Sequence, residues 1–265
     1  MITKRYSDVE PKFRGPDKVK TVAVVMNTYI PLDNKRDDGK KQDYLENIHT
    51  TLKCHNTLKS GFLYDLWVVD NGSPNKEWLS ELGKRELKLQ RENTGMSFAA
   101  YEHGYYHLHK LYTHYLFHEQ DVAPTKDGWL KEIVEAWESY DIGFLGNTIE
   151  RNTGARGNVI HRKNLANLDG HFYFSSRKIL DECGFSLEYS PGRASGNTNE
   201  VRFVQPVLEA GYAIGALADE SRTAFWGTDT AMNGILEPLE ETIMPLVTLH
   251  ARKYPEINTY FRRMT

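Results

Sequence analysis

Apolar runs of strand length recur along the chain, separated by stretches with helical spacing. "TVAVVMN" (21–27), "YDLWVVD" (64–70) and "HYLFHE" (114–119) are the clearest, with "LKLQR" (87–91) weaker and "IGFLGN" (142–147) closing the series. Runs without polar alternation predict strands buried on both faces, as in a parallel sheet. Helical patterns fill 42–59, 76–84, 96–111 and 127–138. Strands alternating with helices build βαβ units and a doubly wound α/β sheet.

The rhythm changes after Asn147. Residues 148–170 are polar, rich in Gly and Asn and locally basic, which predicts a long loop. "HFYFSS" (171–176) predicts a strand, then a short helix over 177–183 that stops at Gly184. A second loop is expected at 186–198. A helix follows over 200–210, in which Pro206 should force a kink or a late start. "YAIGALA" (212–218) predicts a further strand, and 219–265 has no readable period. The expected organisation is an irregular arm over 1–19, one domain over 20–218, and an extension over 219–265 packed on that domain.

Composition narrows the class. A chain of 265 residues with 40% hydrophobic residues can build a sizeable core. Its net charge of −3 gives no overall basic field for nucleic acid. With only two cysteines, Cys54 and Cys183, no disulfide framework is expected, and a cysteine-built zinc cluster is excluded. The charged start lacks an apolar signal core, and no run approaches the roughly 20 apolar residues of a membrane span. A soluble, cytoplasmic protein is expected.

Candidate chemistry lies where the strands end. "NTYIP" follows the first apolar run, "DNGS" the second and "EQDVAP" the fourth, which brings Thr28, Asp70 and Asp121 to carboxyl ends of strands. Open α/β sheets bind ligands beyond those ends, where strand order reverses. Glu119 and Asp121 are two residues apart; in an extended segment their side chains would share a face about 6.5–7 Å apart. Such a pair suits a hard divalent cation, magnesium or manganese. Ordinary loop-edge acids would also give this pattern, and Asp-Asn-Gly-Ser is a good turn sequence in its own right. Neither a P-loop nor a dinucleotide-binding glycine fingerprint is present.

Six segments in order resemble the motifs of GT-A fold glycosyltransferases, above all the inverting group called family two. They are "TVAVVMNTYIP", "LWVVDNGSPN", "RENTGMSFAAYEHG", "YLFHEQDVAPTKDGWL", "FYFSSRKILDECG" and "NEVRFVQPVLEAGY". The resemblance covers roughly 20–218 and implies a single GT-A domain with a Rossmann-like, mostly parallel central sheet flanked by helices. It also implies a nucleotide-sugar donor, probably UDP-linked by family habit, and a divalent metal, Mn2+ or Mg2+. Thr28 and Tyr29 match the loop framing the nucleotide, and Asp70 the acid that hydrogen-bonds the base. Arg91, Asn93 and Gly95 match the stretch near ribose and diphosphate, and Gln120, between the acids of the DxD-like motif, is a further candidate donor contact. Asp121 matches the metal ligand, Glu119 stands where the family usually has Asp, and His250 matches a late histidine that some relatives add to the metal. Glu200, in Asn199-Glu200, matches the catalytic base. Arg151, Arg156, Arg162, Lys163 and Trp226 are candidate contacts to acceptor or phosphate.

The implied reaction is transfer of a hexosyl or pentosyl group to an acceptor hydroxyl by single displacement. The acceptor is left open: a glycan, a small molecule, a protein, or modified DNA of the phage type. The alternatives are a non-catalytic nucleotide-sugar or glycan-binding protein on the same scaffold, and a nucleotidyltransferase, which the lack of a glycine-rich basic loop after the first strand disfavours.

Overall fold

A computed structural model describes residues 21–32, 44–83, 86–138, 142–146, 149–152, 165–168, 172–184, 203–204, 206–207, 209–218, 222–226, 234–235 and 246–248. In chain order the elements are β1 (Val22–Thr28), α1 (Tyr44–Thr57), β2 (Tyr64–Asp70), a 3-10 turn (Glu77–Glu81), β3 (Glu86–Gln90), α2 (Met96–Leu108) and β4 (His114–Glu119). They continue with β5 (Val122–Pro124), α3 (Trp129–Glu138), β6 (Ile142–Gly146), β7 (Ile149–Asn152), β8 (Leu165–Leu168), β9 (Phe172–Ser176) and α4 (Arg177–Glu182). The last are β10 (Ala213–Ala218), β11 (Arg222–Trp226), β12 (Gly234–Ile235) and β13 (Leu246–Thr248).

Among the described residues, nine strands form one sheet in the order β12-β11-β10-β6-β9-β4-β1-β2-β3. β3, β2, β1 and β4 are parallel neighbours. β9 runs against both β4 and β6, and β11 against β10 and β12. The sheet is thus mostly parallel in strand direction, as the continuous apolar runs predicted, with two reversed strands. From β1 the chain steps outward to β2 and β3, then returns to place β4 on the other side of β1. That reversal opens a crevice at the carboxyl ends of β1 and β4.

Successive residues of β4 serve opposite faces, as strand geometry requires. Tyr115 and Phe117 join the cluster under α2 with Tyr101, Tyr105, Tyr173 and Phe203. Leu116 joins the cluster under α1 and α3 with Val24, Val68 and Trp129. Both layers are closed to solvent, so the chemistry is left at the strand ends.

Several expected elements are redrawn. The stretch 148–170 is not all loop: β7 and β8 pair antiparallel, Ile149 opposite Leu168 and Asn152 opposite Leu165. Only about four residues on each side carry strand pattern, and the Gly- and Asn-rich middle masked them. The helix expected over 76–84 is a single 3-10 turn, and α2 stops at Leu108 rather than 111. Pro206 sits inside helical backbone and its carbonyl accepts from Ala210 N–H at 3.0 Å. The stretch after 219, without readable period, contains β11 and β12 on the main sheet and β13, which pairs with β5. Cys54 and Cys183 are both free. The proposed arm over 1–19 lies outside the described residues.

Candidate functional site

The register aligns the strand ends. Thr28 lies opposite Asp70, and Asn27 opposite Glu119, so the acids of β2 and β4 flank the tip of β1. Asn71 N–H donates to Thr28 O at 2.8 Å and Arg91 N–H to Asp70 O at 3.0 Å, extending the ladder past the last sheet residues.

Asp70 is fully buried. Its Oδ1 accepts from Ser73 N–H at 3.2 Å, an Asx-type turn, while Ser73 Oγ accepts from Ile30 N–H at 3.0 Å. "DNGS" is therefore a turn, and the turn ties the β1 and β2 loops together. Asp70 Oδ2 is buried without a hydrogen-bond partner. Burial raises the Asp70 pKa, against the lowering effect of Ser73 and, more weakly, Lys76. A desolvated carboxylate with an unmatched oxygen is an acceptor prepared for a donor group. Gly72 lies at φ 75°, and a Cβ there would stand 2.6 Å from Asn93 N, so only glycine lets this turn touch the Arg91–Asn93 strand end.

That strand end is itself braced. Arg91 donates through Nη1 to Asn71 Oδ1 and through Nη2 to Thr94 O and Oγ1 at 2.9 and 3.0 Å. Asn71 Nδ2 donates to Asn93 Oδ1 at 3.2 Å. Gly95, at φ 77°, makes the left-handed step into α2.

Glu119 and Asp121 lie across β1. The strand ends at Glu119 and the chain turns through Gln120 and Asp121, so the two acids are not presented by extended backbone, as the sequence spacing supposed. They stay on one side all the same. The hydroxyl of Tyr101, fully buried on α2 and without a hydrogen-bond partner, has its pKa raised by burial and then by the charges of both Glu119 and Asp121. Ser97, one turn earlier on the same helix face, donates to Glu119 Oε1 at 2.7 Å. Gln120 accepts at Oε1 from Tyr29 N–H at 2.7 Å and donates from Nε2 to Tyr29 O at 3.1 Å. It therefore fixes the tip of β1 to that of β4, and Thr51 Oγ1 holds Gln120 O at 2.8 Å.

His118 points the other way from Glu119. Its ring stacks on that of His55 at 5.3 Å, and burial lowers its pKa to about 4. It is neutral at physiological pH, so His118 itself places no positive charge beneath the acids. Two half-buried carboxylates are the donor set that a hard divalent cation uses beside phosphate oxygens and water. No group of three or more His, Cys, Asp and Glu suited to a metal occurs among the described residues.

Glu200 and His250 lie outside the described residues, as do Arg156, Arg162 and Lys163. Phe203, three residues after Glu200, is buried against Phe98 at 5.2 Å, Phe144 at 5.0 Å and Tyr173 at 4.6 Å, on the α2 side of the sheet. Backbone register puts Arg151 on β7 opposite Ala166, and Trp226 on β11 opposite Ile214. Sequence reasoning missed Ser73, Ser97 and Tyr101. The signal for the last two was their spacing of four on a helix that begins beside the acids.

No family model matches the chain, and no curated protein matches it. Solved structures do. A mannosyltransferase from Pyrobaculum calidifontis, in complex with GDP-Man and Mn2+, superposes with a TM-score of 0.51 at 12% identity, over 77% of this chain and 56% of that one. The chain has a GT-A fold. S. aureus TarS 1–349 in complex with UDP gives 0.47 at 14% identity, over 77% and 59%. The catalytic domain of Drosophila beta1,4galactosyltransferase 7, in complex with xylobiose, gives 0.45 at 13%, over 74% and 64%. The GT-A chain described here thus spans a little over half the length of the neighbours it matches. No helix among the described residues is long and apolar enough to cross a membrane.

Proposed function

We propose that this protein is a divalent-metal-dependent, inverting glycosyltransferase that moves a sugar from a UDP-linked donor to an acceptor hydroxyl. The observation that supports it is the convergence, at one sheet reversal, of a buried carboxylate with an unmatched oxygen and a pair of half-buried carboxylates. The first suits a base, the second a diphosphate-bound cation.

Uridine is the base favoured by Asp70. Its Oδ1 already accepts from Ser73 N–H, and Oδ2 is the oxygen that has no donor. Uracil offers a single imino N–H, whereas guanine presents two adjacent donors that call for both carboxylate oxygens. Thr28 and Tyr29 would frame the nucleotide, and Arg91, Asn93 and Gly95 would line the path toward the diphosphate. Asp121, with Glu119 and His250, would hold Mn2+ or Mg2+, which when bound neutralises charge growing on the departing diphosphate.

In the proposed displacement the acceptor oxygen bonds to the anomeric carbon as the bond to the diphosphate oxygen breaks, inverting that centre. Glu200 takes the acceptor's proton. Arg151, Arg156, Arg162, Lys163 and Trp226 remain candidates to hold acceptor or phosphate. The test is calorimetric titration with UDP, UDP-glucose and GDP-mannose, with and without Mn2+. Mn2+-dependent binding of UDP compounds in preference to GDP-mannose is expected. A folded protein that binds no nucleotide would overturn the proposal.

A further inference from the structure

A second cavity, of ≈370 Å³, lies away from this crevice, between α1, the 3-10 turn and the start of β3. That volume is within the range of small-molecule sites, roughly 300–1,000 Å³. His49, Leu52 and Asn56 line it from one face of α1 and stand across from Trp78, Leu82, Gly83 and Glu86. Glu86 pairs with Leu66, near the start of β2, so the cavity is about 13 Å along the strand from Asp70.

Its rim is exposed at His49, Asn56 and Gly83, and its floor is buried at Trp78 (4% exposed), Leu82 (9%) and Glu86 (7%). Two floor groups are unmatched: Trp78 Nε1, a donor, and Glu86 Oε2, an acceptor. The other Glu86 oxygen accepts from Asn56 Nδ2 at 2.8 Å. Buried unmatched polar atoms are uncommon, and two on residues that line one cavity point to a ligand that serves both.

The pairing limits the ligand's chemistry. An anion would meet the Glu86 carboxylate. An ammonium ion has no lone pair for the indole N–H. A hydrocarbon would leave both groups unmet. Vicinal hydroxyls donate and accept together, and the C–H face between them suits Leu52 and Leu82. We propose that this cavity binds one pyranose ring of a carbohydrate, either a free monosaccharide or one residue of a longer glycan. The site needs neither the nucleotide nor a metal.

The Trp78 indole N–H resonance tests this, assigned by its loss in Trp78→Phe. Full-length protein would be titrated with methyl glucoside, mannoside, galactoside, xyloside and N-acetylglucosamine, then with the matching disaccharides, up to ~50 mM, a range that captures millimolar affinities. A saturable shift with at least one pyranoside is expected. Glu86→Gln, which swaps a charged acceptor for an amide and keeps a partner for Asn56, should weaken it about threefold to tenfold. Leu52→Trp, which fills the cavity, should abolish it. Tighter binding of a disaccharide would mark a glycan residue as the occupant, and equal binding a free sugar. Asp121→Ala should leave this titration unchanged while removing Mn2+-dependent UDP binding, so each proposal fails separately. No shift with any sugar, a shift with acetamide or tetramethylammonium instead, or affinity untouched by Glu86→Gln and Leu52→Trp would overturn it.

Discussion

Two strands flanking β1 end in acids, and the fold treats them in opposite ways. At the end of β2, Asp70 is sealed from solvent, held through one oxygen by Ser73 and left unmatched at the other. At the end of β4, Glu119 and Asp121 are half-exposed, and Ser97 reaches Glu119 from α2. The first environment raises the cost of charge until a specific donor arrives, which suits selection among bases. The second keeps two charges partly hydrated, which suits a cation that brings its own water and phosphate. Under the proposed function, similar side chains on either side of β1 would serve as selector and clamp, divided by their burial and by the contacts of Ser73 and Ser97.

The sharpest way to break this division is at the clamp. Asp121→Ala should lower Mn2+-dependent affinity for UDP more than ~100-fold, since even outer-shell partners of a metal are worth 10–100-fold. Metal-free UDP affinity should be nearly unchanged. Equal losses with and without Mn2+, measured by calorimetry, would mean that Asp121 serves the nucleotide directly and that no separate clamp exists.

The selector gives the next largest effect, with a sign the clamp cannot mimic. Asp70→Asn should weaken UDP binding about tenfold to a hundredfold, the worth of a hydrogen bond to a charged group. It should also stabilise the protein at neutral pH. The folded state raises the Asp70 pKa, so it holds the proton more tightly than the unfolded chain; the favourable contribution is complete at low pH and is lost as pH rises through the raised value. Asn removes that loss, and since Asp70 Oδ2 has no partner, no hydrogen bond is given up there. The melting temperature of Asp70→Asn should exceed wild type at pH 8, and the two should converge below about pH 4. Wild-type UDP affinity should fall as acid protonates Asp70, with a flatter profile in Asp70→Asn. A variant less stable than wild type at pH 8 would refute the buried-charge account.

How far the sequence discloses this division depends on distance along the chain. The strands buried on both faces were legible because their apolar runs are unbroken, and the strand-end acids because each follows such a run directly. The division of labour was not legible. It depends on Ser73 reaching back to Asp70 and across to Ile30, and on α2 turning Ser97 and Tyr101 toward β4, contacts set by packing rather than by local pattern. β7, β8 and the strands after 219 escaped notice for a simpler reason. They are two to five residues long and borrow their stability from partners remote in sequence, so they carry too few positions to establish a period.

Ser97 tests the finest part of the comparison, whether α2 tunes the clamp through Glu119 alone. A hydrogen bond to a carboxylate is worth about 1.5–3 kcal/mol, and because Ser97 would reach the cation only through Glu119, Ser97→Ala should pass on part of that and weaken Mn2+-dependent UDP binding roughly twofold to tenfold. Ser97→Thr keeps the donor and should restore most of it. Metal-free UDP binding should be the same in all three proteins, because Ser97 acts on Glu119 and not on the Asp70 turn. If Ser97→Ala weakens both titrations alike, the α2 end contacts the nucleotide itself. If threonine fails to rescue, helix packing rather than the hydroxyl positions the acid.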